Sequence, residues 1–234
     1  MPSASPSLPP VELAALLRDA PHWELLRQRQ AKETRRSVYR VNLKYLVKKF
    51  EIPCALRRYR RPWLTEDACL RRLDGNGAPR SFGWYETREN HRRVVWLVKE
   101  YIDGIPIVAF TPADLSALAH LLVHLHTRGV ITDDASRDNF LRIPDGRLIF
   151  LDFGRAHLCS NNCRCSAEPI GWELAKLRRE GFGWDAPLWN AFLPLYFARL
   201  DASSLQRARI RSACSAATLL RMARKTLQGY PSRS

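Results

Sequence analysis

The sequence has no apolar run approaching the ~20 residues of a membrane-spanning helix, which argues against an integral helical membrane protein. Its start, MPSASPSLPP, lacks a charged segment followed by an apolar core, so no secretory leader is expected and the chain reads as cytosolic. Without an oxidising compartment, the six cysteines do not read as a disulfide framework. Acidic residues are scarce, with 23 Asp+Glu against 38 Lys+Arg, and no internal repeat is present. What is there suffices for a packed fold: 46% hydrophobic and 10% aromatic residues offset the entropy of ordering and exclude global disorder. The 234 residues suit one large domain or two small lobes. A net charge of +15 suits nucleic acid, an anionic membrane surface or a phosphorylated substrate, with a solvated Arg-rich surface as the plain alternative.

Residues 1–10 carry four prolines and three serines and read as a flexible leader. A helix is expected from Val11 to about Gln30, interrupted at Pro21. Ser37–Leu43 and Tyr45–Phe50 then have strand character, with Asn42–Lys44 suited to a hairpin turn. Thr65–Leu73 has helical spacing, with Thr65 as N-cap, acidic residues in the first turn and Gly75 as a stop. Strands are expected at Gly83–Tyr85 and Val94–Tyr101, and an amphipathic helix from Pro112 to Arg128. Phe140 to Leu151 reads as a strand, a Pro-Asp-Gly turn and a second strand, and everything beyond residue 170 as helical. The order predicts an α+β chain of two lobes: a β-rich portion over 11–103 and a mainly helical one over 104–234.

The chemistry concentrates in His126-Thr-Arg-Gly-Val-Ile-Thr-Asp-Asp-Ala-Ser-Arg-Asp-Asn, followed by Leu151-Asp-Phe-Gly154. Asp134 stands five residues before Asn139, and Asp152-Phe153-Gly154 closes the hairpin that follows. With this spacing the sequence resembles the protein-kinase-like superfamily. The resemblance implies a two-lobed kinase-like fold with a small β-rich N-lobe and a helical C-lobe. It implies Asp134 as the base that takes the acceptor hydroxyl's proton, with Asn139 and Asp152 holding Mg²⁺ on ATP. It also asks for a lysine on an early strand and a glutamate on the next helix. Lys48 and Glu66 fit, with Lys49 and Asp67 as alternatives.

Two features depart from the superfamily pattern. No glycine-rich phosphate loop is present; Lys32–Arg40 stands in its place, with basic side chains and backbone amides available to phosphates. Thr132-Asp133 replaces the usual His-Arg before the catalytic aspartate. Within the superfamily, Arg35–Val41 running into Tyr45–Phe50, with Glu173-Leu-Ala-Lys-Leu-Arg-Arg and Trp189–Phe197 downstream, is similar to the bacterial lipopolysaccharide core kinases, the Kdo/heptose kinase family. That similarity, over about residues 30–200, implies a sugar hydroxyl of the lipopolysaccharide core as acceptor. It also implies peripheral work at the cytoplasmic face of the inner membrane, where each cation near an anionic surface contributes about 1 kcal/mol. The alternatives are a protein or other small-molecule acceptor, or a weakly catalytic pseudokinase scaffold. Nucleic acid ranks third, since no aromatic-rich RNA-binding signature is present.

Several clusters stand outside these motifs. Arg57-Arg-Tyr-Arg-Arg61 reads equally as a phosphate- or membrane-facing patch and as a solvated loop. Arg207, Arg211, Arg221, Arg224 and Lys225 suggest a basic helical surface, or an ordinary polar face. His157, Cys159, Cys163 and Cys165 supply four potential soft ligands in nine positions, but the Cys-x-Cys spacing matches no common zinc module, so unligated thiols are favoured over metal. Cys54, Cys69 and Cys214 read as small buried apolar residues. His124 and His126 are assigned to helix-end packing rather than catalysis.

Overall fold

The computed structural model describes residues 8–31, 33–56, 59–159 and 165–227. The chain is α+β, with an antiparallel N-terminal sheet and a helical C-terminal part. It divides into two compact units between Asp103 and Gly104, the position at which the sequence pattern changes.

The first unit opens with helix α1 (Pro10–Arg18). Strands β1 (Trp23–Ala31), β2 (Thr34–Val41), β3 (Tyr45–Pro53), β4 (Ser81–Glu89) and β5 (Arg92–Glu100) form one antiparallel sheet in the order β1-β2-β3-β5-β4. Helix α2 (Pro62–Leu73) lies between β3 and β4 in the chain. Two of its tight hairpins, β2–β3 and β4–β5, each turn through a pair of left-handed residues led by asparagine: Asn42 and Leu43 (φ 50° and 57°), and Asn90 and His91 (φ 45° and 61°). That twist matches the right-handed twist of the flanking strands.

Three expectations fail here for identifiable reasons. The helix expected to reach Gln30 ends at Arg18, and Trp23–Ala31 is an edge strand. Its Leu, Gln and Arg residues favour helix weakly, and pairing with β2 overrides that preference. Helix α2 starts at Pro62 rather than after Thr65, because proline is preorganised for a first helical position and Trp63 docks on Phe50 with ring centroids 5.4 Å apart. From Thr34 onward, the segment expected to cover phosphates with backbone amides is interior strand β2, whose amides serve the ladders to β1 and β3. Lys32 lies outside the described residues.

Period-two alternation sorts the faces of β3. Val47 packs with Val41, Val98 and the α1 residues Leu13 and Leu17. Phe50 and Ile52, of opposite parity, pack with Val95, Leu97 and Trp63 of α2. Lys48 shares the parity of Phe50 and therefore faces α2.

The second unit contains two small sheets. One has β6 (Ile105–Pro106), β8 (Phe140–Arg142) and β9 (Leu148–Phe150) in the order β6-β8-β9; the other pairs β7 (Val130–Ile131) with β10 (His157–Leu158). A 3₁₀ turn at Pro112–Asp114 leads into α3 (Leu115–Thr127). Helix α4 (Ala167–Lys176) widens into a π turn at Leu177–Gly181, and α5 (Ala186–Arg199) and α6 (Ser204–Leu227) complete the unit. The apolar stripe of α3, with Leu118, Leu122 and Leu125 all fully buried, packs on α5. Helices α4 and α6 meet backbone to backbone at Gly171, where a Cβ would stand 2.5 Å from that of Ala213 and 2.8 Å from the Cys214 amide nitrogen.

Among the described residues, no helix is long and apolar enough to cross a membrane. Cys69 and Cys214 are buried as expected, whereas Cys54 is exposed in the turn after β3.

Candidate active site

In the first unit, Lys48 and Glu66 are brought together. The Lys48 ammonium donates to both carboxylate oxygens of Glu66, at 2.7 and 2.8 Å, with both side chains buried. The alternatives are placed elsewhere. Lys49 points to the opposite face, 3.2 Å from Glu51 and over the Trp96 ring at 4.8 Å. Asp67 receives Arg71 at 2.8 Å and the Ser81 hydroxyl, tying α2 to β4.

A residue not singled out from sequence completes the pair. Lys99 of β5, 1% exposed, donates to Glu66 Oε1 at 2.7 Å. It alternates with Val95 and Leu97 on the α2-facing side, a signal that becomes readable only once β3 and β5 are known to be neighbours. Burial and the Glu66 carboxylate together push the nearby Cys69 thiol up to about 12, so it stays protonated.

In the second unit, the loop after β7 carries Asp134 and Asn139. The Asn139 amide nitrogen donates to the Asp134 carbonyl at 2.8 Å and to the Ser136 hydroxyl at 3.2 Å, bracing the loop across five residues. Its remaining side-chain atom, the amide oxygen, is a hard ligand. Asp152 follows β9; its Oδ1 accepts from the Gly154 amide at 3.1 Å. Phe153 is fully buried against Phe150, with centroids 5.0 Å apart, which fixes the turn.

Helix α4 holds this loop residue by residue. Glu173 Oε1 accepts from the Thr132 amide at 3.0 Å and from the Thr132 hydroxyl. Its other oxygen lies 2.8 Å from His126 Nε2, and His126 Nδ1 lies 2.7 Å from the Tyr196 hydroxyl. Burial, with contributions from Glu173 and Cys165, pushes the Tyr196 phenol well above its ordinary value, keeping it a hydrogen-bond donor. His126 is therefore the centre of a buried network, beyond the helix-end packing expected of it. Thr132 is the loop's anchor to that network. One turn after Glu173, Lys176 donates to Asp134 Oδ1 at 2.6 Å and to the Asp133 carbonyl at 3.0 Å. Neither Glu173 nor Lys176 was assigned a role from sequence, because nothing local links α4 to a loop some forty residues earlier.

The remaining clusters resolve differently. Cys159 and Cys165 bring their sulfurs to 3.0 Å, while His157 Nε2 lies 3.8 Å from Asp133; Cys163 lies outside the described residues. Among the described residues no three His, Cys, Asp or Glu side chains are grouped to hold a metal. In the first basic cluster, Arg57 and Arg58 lie outside the described residues, and Tyr59 stacks on Trp63 with centroids 6.3 Å apart. In the second, Arg207 bonds the carbonyls of Ala202 and Leu200, Arg211 lies over Phe197 at 4.8 Å, and Arg221 lies over Trp172 at 5.8 Å. These three cations are engaged within their own unit; the side chains of Arg224 and Lys225 lie outside the described residues.

No family model matches the chain, and no curated protein is similar to it.

Proposed function

We propose that this protein is an ATP-dependent phosphotransferase with a protein-kinase-like fold, acting on a hydroxyl of a lipopolysaccharide core sugar. The observation that carries the reading is the buried Lys48–Glu66 pair, formed by the strand lysine and helix glutamate that the kinase resemblance singles out. A lysine held by a carboxylate in a dry site is a fixed cation suited to the nucleotide phosphates.

Asp134 takes the proton of the acceptor hydroxyl as that oxygen bonds to the γ-phosphorus and the bond to ADP breaks. Asn139 and Asp152 offer the hard oxygen donors that Mg²⁺ prefers, and the ion would neutralise phosphate charge there. Phosphoryl transfer needs little from the protein beyond positioning and electrostatics, and the braced loop provides positioning. The core-sugar acceptor rests on the similarity of Arg35–Phe50 and Glu173–Arg179 to the Kdo/heptose kinases, and the net charge of +15 suits an anionic glycolipid at the cytoplasmic face of the inner membrane.

The test is transfer from γ-labelled ATP with Mg²⁺ to purified lipopolysaccharide core, together with mass spectrometry of lipopolysaccharide from a deletion strain. Labelled core and a lost phosphate support the reading. Label on protein alone moves the acceptor, and absence of any nucleotide turnover overturns the enzyme.

A further inference from the structure

The buried lysine of α4 has no part in the reading above. Lys176 is 7% exposed, on a helix whose other inward residues include Ile170, Leu174 and Ala175. Burying an ammonium is costly unless it is closely paired. Lys176 is paired at 2.6 Å with Asp134 Oδ1 and at 3.0 Å with the Asp133 carbonyl, while Glu180, one turn on, stands 3.6 Å away.

Two details show what this contact does to the loop. Asp133 has φ +49°, a left-handed conformation uncommon for a residue with a side chain. A backbone held there needs its neighbours to fix it, and Lys176 bonds its carbonyl. The contacts to the Asp134 carboxylate are also one-sided. Lys176 and, at 4.0 Å, Arg155 both approach Oδ1. Among the described residues no hydrogen bond reaches Oδ2, although the side chain is 23% exposed.

We propose that Lys176 is a positioning residue for phosphoryl transfer: by anchoring Oδ1 of Asp134 and the Asp133 carbonyl, it presents Oδ2 as the oxygen that receives the acceptor hydroxyl's proton. The inference rests on the kinase reading of the site. The proton passes from the acceptor oxygen to Oδ2 while Lys176 keeps all of its own. A carboxylate free to rotate would offer either oxygen in many orientations, and misplacement on the scale of 1 Å costs about a hundredfold in rate. Lys176 thus acts through Asp134.

The test compares Lys176→Met, Lys176→Gln and Lys176→Arg in steady-state ADP release with Mg²⁺·ATP and lipopolysaccharide core as acceptor, alongside thermal melting. The Met and Gln variants are expected to lose about 30- to 100-fold in kcat, with KM for ATP within about threefold, because positioning is lost while nucleotide contacts remain. The Arg variant, which keeps the cation, is expected to stay within about fivefold of wild type. In an Asp134→Ala background, Lys176→Gln should cost nothing further, the signature of a residue acting through its partner. If the Met variant does not fold, the Gln variant, polar but uncharged and one atom too short to hold both oxygens, carries the same comparison. A kcat within twofold of wild type in folded Gln protein overturns the proposal and leaves the kinase reading standing. So does an Arg variant as slow as Gln, or a further loss in the Asp134→Ala background. A wild-type protein without nucleotide turnover overturns both.

Discussion

The Lys48–Glu66 pair and Asp134 are held in different ways. Lys48 sits inside a regular strand, Glu66 inside a regular helix, and both are fully buried between a sheet and the helix covering it. Asp134 sits on irregular backbone, beside a left-handed Asp133, and is partly exposed. Regular elements supply the first pair's geometry through alternation and helical pitch. The loop has no such repeat, so its geometry comes from side chains of α4, which reach Thr132, Asp133 and Asp134 in succession. Where backbone hydrogen bonds do not impose a shape, a second element has to.

The contrast can be broken from either side. The largest effect is expected at the loop: Asp134→Ala should lower turnover by about 10²- to 10⁴-fold while leaving Mg²⁺·ATP binding largely intact, as measured by calorimetry beside kinetics. Next, Glu66→Ala removes the carboxylate shared by two buried ammoniums and should destabilise the first unit by about 3–5 kcal/mol. Urea unfolding followed by tryptophan fluorescence reads this, and Lys48→Met should cost less, because Glu66 keeps Lys99. Lys49→Met, on the other face, should cost less than about 1 kcal/mol. If Lys49→Met matched Lys48→Met, the alternation argument would fail.

Thr132→Val withdraws a hydroxyl from buried Glu173 and should cost the second unit about 1–3 kcal/mol, with a drop in kcat if the loop's shape depends on that anchor. The smallest effect is a pH dependence at Asp114, whose side chain receives the Thr111 amide and hydroxyl and the Arg142 guanidinium. Burial pushes its carboxyl up, but these hydrogen bonds outweigh burial and leave it below the ordinary value of 3.8. The stability it adds is fully present above 3.8 and is lost as pH falls through the lower folded value. Asp114→Asn should flatten the acid limb of the unfolding curve in that window.

The same contrast explains what was legible in the sequence. Lys48 and Glu66 could be found because strand and helix patterns surround them and their order in the chain is informative. Lys99 is not legible, since its role depends on β3 and β5 being neighbours while α2 and β4 separate them in sequence. Trp23–Ala31 has no strand signature because an exposed edge strand has no buried face to impose alternation. Asp134, Asn139 and Asp152 were legible as a motif, yet the residues that shape their loop were not. Glu173, Lys176 and Tyr196 have ordinary helical surroundings, and only the tertiary fold aims them at Thr132, Asp134 and His126.

The missing side chain at Gly171 bears on that aim. Glu173 and Lys176 leave α4 at angles fixed by the helix's rotation about its own axis, and α6 lies in direct backbone contact behind it. One added methyl group would have to turn or lift α4, swinging both side chains away from the loop together. The long C-terminal helix thus sets the bearing of the site through the back of α4, and a single carbon atom at that seam would be enough to detune it.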